Sequence, residues 1–356
     1  MHARQLYRER VVGEGGPDWR TDGATVYEDE AIRLWTLPRP GLDDVPIASL
    51  KTKMHAISPA VVEGLDRAVE EAEARFAGLV VWSGDEPFSV GADLQATLPA
   101  FAAMGVQAIE SVEAQMQRVM LRLRYAQVPT VAAVRGMALG GGCELAVHCA
   151  RRVAHMESDI GLVEVGVGLI PGAGGLTYIA RRAAENARAS TGTDLLPFLT
   201  EGFKAAAMAT VGTSALESRK LGYLLDSDLI VPHRDELLFV ALRTAQAMRE
   251  AGYRPPLKQP FAVAGRSGKA TILGQLVNLR DGGFITAYDF EIGSRIAPVV
   301  TGGEVEAGTL VTEAYLMKLE REAFCALIRS PRPRRASWRC STTASRCATD
   351  HGDDRT

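Results

Sequence analysis

The chain has 356 residues and a formal net charge of -3, from 40 Lys and Arg against 43 Asp and Glu. That length buries a full core, with room for one large domain and a smaller appendage, and the balanced charge argues against nucleic acid or an acidic membrane surface as the main partner. No apolar run approaches the roughly 18 residues that span a bilayer, and the opening MHARQLYRER is too charged for a signal peptide, so a cytoplasmic protein is expected.

Residues 1–24 are polar, carry GEGGPDW, and read as an arm or linker remnant. Strand-like text follows in ATVYEDE, AIRLWTL and PIASLKTK. Ser58 as N-cap and Pro59 at the first helical position then announce a helix, with Val62, Leu65, Val69, Ala72 and Phe76 on one face. A short apolar strand, Gly78 to Trp82, ends in the turn signal Ser83-Gly84-Asp85. FSVGADL supplies a glycine turn after it, and a helical stretch runs from Gln107 to Tyr125. Alternating strands, turns and helices indicate an α/β fold.

The most informative stretch is Val128 to Gly175. The β-branched run at Thr130, Val131 and Val134 reads as a buried strand, Gly140-Gly141-Gly142 as a turn, and Cys143 to Cys149 as the opening of a helix. A glycine turn admits a ligand to the main chain, and the first turn of a helix directs unpaired N–H groups at it. Glu144 lies in that turn; Glu164 follows, ahead of a second glycine-rich turn, Pro171-Gly172-Ala173-Gly174-Gly175.

Beyond Gly175, Thr177 to Glu201 is rich in Ala and Arg and shows no placeable pattern. Helices dominate from Phe203: Ser214 and Glu217 suggest a capping box, Gly222 a helix stop, and Asp235 to Glu250, Ala270 to Leu279 and Glu313 to Ile328 further helices. A helical region after an α/β core serves as a substrate lid or an oligomer contact, and the sequence does not separate these. Cys143, Cys149, Cys325, Cys340 and Cys347 lack CxxC or Cys/His ligand spacing, so neither a disulfide framework nor a metal site is expected.

A thioester conjugated to a C=C bond would suit the central stretch. Water adding to Cβ pushes charge onto the thioester oxygen, which the N–H groups of Gly141 and Ala92 can receive, while Glu144 and Glu164 can act as an acid–base pair. Plainer readings stand beside this. A helix dipole alone favours Glu144, Glu164 can be an ordinary surface carboxylate, and three glycines can serve close packing. A dinucleotide fingerprint fails, because Pro171 stands where a third glycine would follow Gly166 and Gly168. There is no G-x-S-x-G elbow and no P-loop.

Taken together, FSVGADL, AAVRGMALGGGCELAVHC and GLVEVGVGLIPGAGGLT resemble, in the right order, the segments that mark the crotonase (enoyl-CoA hydratase/isomerase) family. The resemblance implies a spiral of ββα units spanning residues 25–202 with a C-terminal helical region over 203–330, and a homotrimer or hexamer. It implies acyl-CoA thioester substrates, with no cofactor beyond the coenzyme A that the substrate carries. It assigns Ala92 and Gly141 as oxyanion donors, Glu144 as the carboxylate that activates water and Glu164 as the one that protonates Cα. Substrate contacts are implied at Lys53, His55, Ala56, Ala92, Asp93, Leu94, Gly141 and Gly172. Both glutamates are present, which favours hydration over Δ3,Δ2-isomerisation, where the equivalent of Glu164 can suffice; a non-catalytic acyl-CoA-binding module is the third reading.

SLKTKMHAIS, VVWSGDEPFSVGADL, TVGTSALESRKLGYL and LEREAF are similar to the hydratase half of bacterial 3-hydroxyacyl-CoA dehydrogenase/enoyl-CoA hydratase fusions. The chain carries no NAD-binding region, so a dehydrogenase region or subunit is expected elsewhere. Family members usually continue past LEREAF to a helix ending in GKPLRN, whereas here the text is PRPRRASWRCSTTASRCATD. Read back through GC-rich codons and shifted by one base, it can encode PKTQARIMAMLDNGKPLRN and a stop. The hypothesis is that residues 331–356 are a frame-shifted reading, never selected to pack. An unambiguous reading frame through codon 349 in the resequenced gene ends that idea.

Overall fold

The structure, a computed structural model, describes residues 18–39, 41–190 and 194–329. Three antiparallel strands open it: β1 (Ala24–Glu28), β2 (Ile32–Thr36) and β3 (Ile47–Leu50). Helix α1 (Pro59–Arg75) starts where Ser58 Oγ accepts the Val61 N–H, with Pro59 in the first turn as its sequence predicts. Then come β4 (Leu79–Val81), α2 (Leu94–Met104) and α3 (Val106–Arg124).

The next segment sets the architecture. Strand β5 (Thr130–Val134) is followed by β6 (Met137–Leu139) and α4 (Gly141–His148), then by β7 (Arg151–His155) and β8 (Asp159–Gly161). Strands β5 and β7 pair in parallel in the large sheet, while β6 and β8 pair in parallel in a small one. Each unit therefore gives one strand to each sheet. Gly136, at φ 63°, makes the bend between β5 and β6, in a region where a side chain is strained.

The chain continues through α5 (Gly175–Ala189), α6 (Leu196–Ala207), β9 (Val211–Gly212), α7 (Ala215–Lys220), β10 (Leu229–Val231) and α8 (Leu237–Glu250). It closes with β11 (Phe261–Ala262), α9 (Gly265–Asp281), α10 (Ala287–Thr301), β12 (Leu310–Val311) and α11 (Glu313–Arg329). The large sheet runs β1-β2-β3-β4-β5-β7-β10 and the small one β6-β8-β9. α10 packs on α9, α5 and α6; α11 packs on α10, α3 and α5.

Alternation along the central strands explains why both faces of the large sheet are covered. Val131 and Ala133 point to one face, with Trp35, Trp82, Leu238 and Leu242 of α8; Ala132 and Val134 point to the other, with α1 and α3. Trp19, from the stretch read as an arm, is buried in the first of these clusters.

The elements correct three details of the sequence reading. Asp93 Oδ1 accepts the N–H groups of Gln95 and Ala96 at 3.0 Å each and starts α2, a helix that the glycine turn before it obscures. The stretch after Gly175 that shows no placeable pattern is α5 and α6; the buried face of α5 is Leu176, Ile179, Ala180, Ala183 and Ala187, a stripe made faint by its small Ala side chains. Strands β9 and β10 lie beyond residue 203 and join the two sheets. They have two and three residues, too short for any period to register. No helix among the described residues is long and apolar enough to cross a membrane. Residues 331–356 lie outside the described residues.

Candidate active site

Two stretches of backbone meet at the N-terminus of α4. Ile57 N–H donates to Gly91 O (2.7 Å) and Asp93 N–H to Ile57 O (3.0 Å), a parallel bridge that turns the intervening Ala92 N–H to the opposite side. There it lies beside Gly141: a Cβ built on Gly141 would stand 3.3 Å from Ala92 N. Gly141 is the first residue of α4, whose opening N–H groups have no partner within the helix. Gly91, at φ 93°, permits this approach, since a side chain there would meet Gly141 N and Leu139 O, each at 2.8 Å.

Glu144, in the first turn of α4, is buried. Its Oε1 accepts N–H bonds from Ala173 (2.9 Å) and Gly175 (2.7 Å), so the second glycine turn holds it. Glu164 opens a short 3-10 turn, Glu164–Val167, after β8. Its Oε1 reaches to 3.0 Å from where a Gly140 Cβ would sit, and its Oε2 is buried with no hydrogen-bond partner among the described residues. Burial raises both carboxyls, Glu164 to about 7 and Glu144 well above the usual range, where the Glu164 charge pushes it further. The pair titrates as one system, and one negative charge is what the site accommodates near neutrality. The N–H bonds that Glu144 accepts from Ala173 and Gly175 oppose its rise and favour its charged form.

Two further glutamates surround this pair, and the sequence did not mark them as site residues. Glu320 of α11 accepts from Gly174 N (2.8 Å), Thr177 N (3.1 Å) and Thr177 Oγ1 (2.9 Å). Its pKa is raised by burial to about 7 against those hydrogen bonds. The opening N–H groups of α5 are thus divided between Glu144 and Glu320. Glu113 of α3 is buried against Gly172, where an added Cβ would collide with its carboxyl, and its Oε2 has no hydrogen-bond partner among the described residues. Burial, then the Glu320 and Glu164 charges, raise it to about 8 against the opposing pull of Arg321. A signal did exist: Glu113 falls on the helix face that carries Met116, Gln117 and Met120, where an apolar residue belongs.

A carboxyl raised on folding stabilises most below its unfolded value and loses that contribution as pH rises through the folded value. The wild type should therefore lose stability between about pH 5 and pH 9. Glu113→Gln should reduce that loss by more than about 1 kcal/mol in urea titrations at the two pH values; an unchanged pH dependence would show that Glu113 does not hold its proton.

The other residues marked from the sequence fall as follows. Lys53 and His55 bound a 3-10 turn next to Ile57, and Ala56 N–H closes it on Lys53 O at 3.2 Å. Lys53 is exposed, whereas the His55 ring is buried, its Nδ1 2.5 Å from Pro87 O, and burial lowers its pKa. The His55 carbonyl accepts from Ser89 Oγ (2.7 Å). Asp93 caps α2, and Leu94 is its first residue. Gly172 O accepts from Gln117 Nε2 at 2.7 Å. The geometry brings Ala92, Gly141, Glu144 and Glu164 together, with Gly172 behind them.

The chain is similar to known proteins in sequence and in fold. Residues 49–193 match the family model described as Enoyl-CoA hydratase/isomerase. The chain is 35% identical over 290 residues to the "Probable 3-hydroxyacyl-CoA dehydrogenase" of Bacillus subtilis (strain 168), an alignment covering 80% of this chain and 36% of that protein. It is 35% identical over 158 residues to the "Fatty acid oxidation complex subunit alpha" of Idiomarina loihiensis, covering 44% of this chain and 21% of the relative. The chain thus spans about a third or less of the length of these relatives. In structure it is similar to the enoyl-CoA hydratase from Bacillus halodurans, with a TM-score of 0.52 and 15% identity over 83% of this chain and 95% of that one. Fold and family match agree: the chain has the crotonase fold, and its residues 49–193 match the enoyl-CoA hydratase/isomerase family model.

Proposed function

We propose that the chain is a hydratase acting on trans-2-enoyl-CoA thioesters, within fatty-acid β-oxidation. The observation that carries this reading is the convergence of two buried carboxyls, Glu144 and Glu164, beside the adjacent N–H groups of Ala92 and Gly141. The thioester oxygen accepts from these two N–H groups. Water attacks Cβ and gives a proton to Glu144; the C=C electron pair moves towards the thioester oxygen as an enolate, and Cα takes its proton from Glu164. Water's two hydrogens and its oxygen are thus accounted for, with the proton removed on one carboxyl and the proton delivered from the other. Each donor to the developing oxyanion is worth about 3 to 4 kcal/mol.

No cofactor other than the substrate's own coenzyme A enters this scheme. Its product is a 3-hydroxyacyl-CoA, and its oxidation belongs to a separate dehydrogenase region or subunit. The decisive assay follows loss of the conjugated thioester absorbance of crotonyl-CoA on addition of the full chain. Steady loss of absorbance with formation of 3-hydroxybutyryl-CoA is the expected result; tight acyl-CoA binding without turnover would instead make the chain a binding module. Turnover of a 3-enoyl-CoA that survives Glu144→Gln would mark an isomerase.

A further inference from the structure

The C-terminal end of α4 faces a cavity of about 370 Å³ that the proposed hydration does not use. Gly141 stands at the other end of this eight-residue helix, which separates the two by roughly 12 Å. The cavity is lined by six arginines: Arg124, Arg151, Arg152, Arg181, Arg182 and Arg254.

Their partners do not balance them. Asp228 takes Arg152 at 2.6 Å. Glu313 takes Arg124 at 3.1 Å and Arg181 Nε at 3.0 Å. Glu185 takes Arg181 Nη1 at 2.9 Å and also pairs with Arg182. Arg151 and Arg254 donate to the carbonyls of Ser227 (2.6 Å) and Tyr253 (3.2 Å), which carry no charge. Among the described residues three carboxylates thus face six guanidinium groups, an excess of three positive charges. Arg181 is only 6% exposed, and its Nη2 is buried with no hydrogen-bond partner among the described residues; so is the hydroxyl of Tyr253, on the cavity wall. Leaving such donors unmade is costly, and like charges in a low-dielectric recess repel strongly. Burial and the Arg124 charge both act to lower the Arg181 pKa.

We infer that this arginine-lined cavity is a binding site for a small molecule bearing a diphosphate group. Guanidinium forks pair with phosphoryl oxygens in bidentate fashion. A diphosphate near neutrality carries about the charge that the excess requires. The volume lies near the lower end of the range for small-molecule sites, about 300–1,000 Å³, and is larger than a lone phosphate needs. Free pyrophosphate and a nucleoside diphosphate share this chemistry, and the test separates them.

Isothermal titration of the full chain at low salt would use pyrophosphate and ADP as probes, with sodium chloride at matched ionic strength as the control. Binding of at least one probe at one site per chain is expected, weakened tenfold or more in Arg182→Gln/Arg254→Gln. Those two side chains reach solvent, and Arg151→Gln provides a second, independent variant should the pair fail to fold. Comparable affinities would identify the diphosphate as the recognised unit; tighter ADP would identify a nucleotide. Saturating butyryl-CoA should leave binding unchanged. Absence of heat with both probes, equal affinity in the folded variants, or displacement by butyryl-CoA would each overturn the assignment.

Discussion

Glu164→Gln is expected to lower kcat for crotonyl-CoA hydration by about two to four orders of magnitude. The substitution is isosteric and touches neither the Ala92 nor the Gly141 N–H, so affinity for a saturated acyl-CoA should stay close to that of the wild type. What is lost is the proton for Cα, which an amide cannot deliver. The pH profile adds a second readout. In the proposed mechanism Glu164 works in its protonated form, and its pKa is raised by burial to about 7, so kcat in the wild type should fall as pH rises through that region. The alkaline limb should disappear from the residual activity of the variant. Stopped-flow or steady-state absorbance with purified protein measures both, and a rate within tenfold of wild type would remove Glu164 from the mechanism.

Asp228→Ala should destabilise the fold by about 3 to 5 kcal/mol. Asp228 is buried and accepts from Arg152 N (3.0 Å), Arg152 Nε (2.8 Å) and Leu225 N (2.6 Å), tying the start of β7 to the loop before β10. Removing it leaves a buried guanidinium without its counter-charge, which costs more than the pair contributes when intact. Urea denaturation measures the loss. The double change Asp228→Ala/Arg152→Met should recover part of it, because no stranded charge remains. A loss below about 1 kcal/mol in the single variant would mean that solvent reaches Arg152.

Local signals carried much of this fold. Ser58-Pro59 marks α1 because a side-chain oxygen and a fixed φ act on the first turn alone. The apolar run from Gly78 to Trp82 reads as a strand because both its faces are buried. The site was legible differently: Ala92, Gly141, Glu144 and Glu164 could be named through family likeness, since their approach depends on a bridge between residues 57 and 92 that no local pattern encodes. His55 was marked beside them, yet its ring turns inward onto Pro87, a choice set by packing. Glu320 stayed hidden for the same reason in reverse. Its helix reads as amphipathic, but the groups it meets, Gly174 and Thr177, lie far away in sequence.

That last contact has a consequence for how the molecule is made. During synthesis the chain emerges from its N-terminus, and the crotonase core from β1 to α5 is complete long before residue 320 leaves the ribosome. Until it does, the N–H groups of Gly174 and Thr177 lack the acceptor that fixes the turn, and the same turn grips Glu144. The turn that holds Glu144 is thus completed only once α11 has been made.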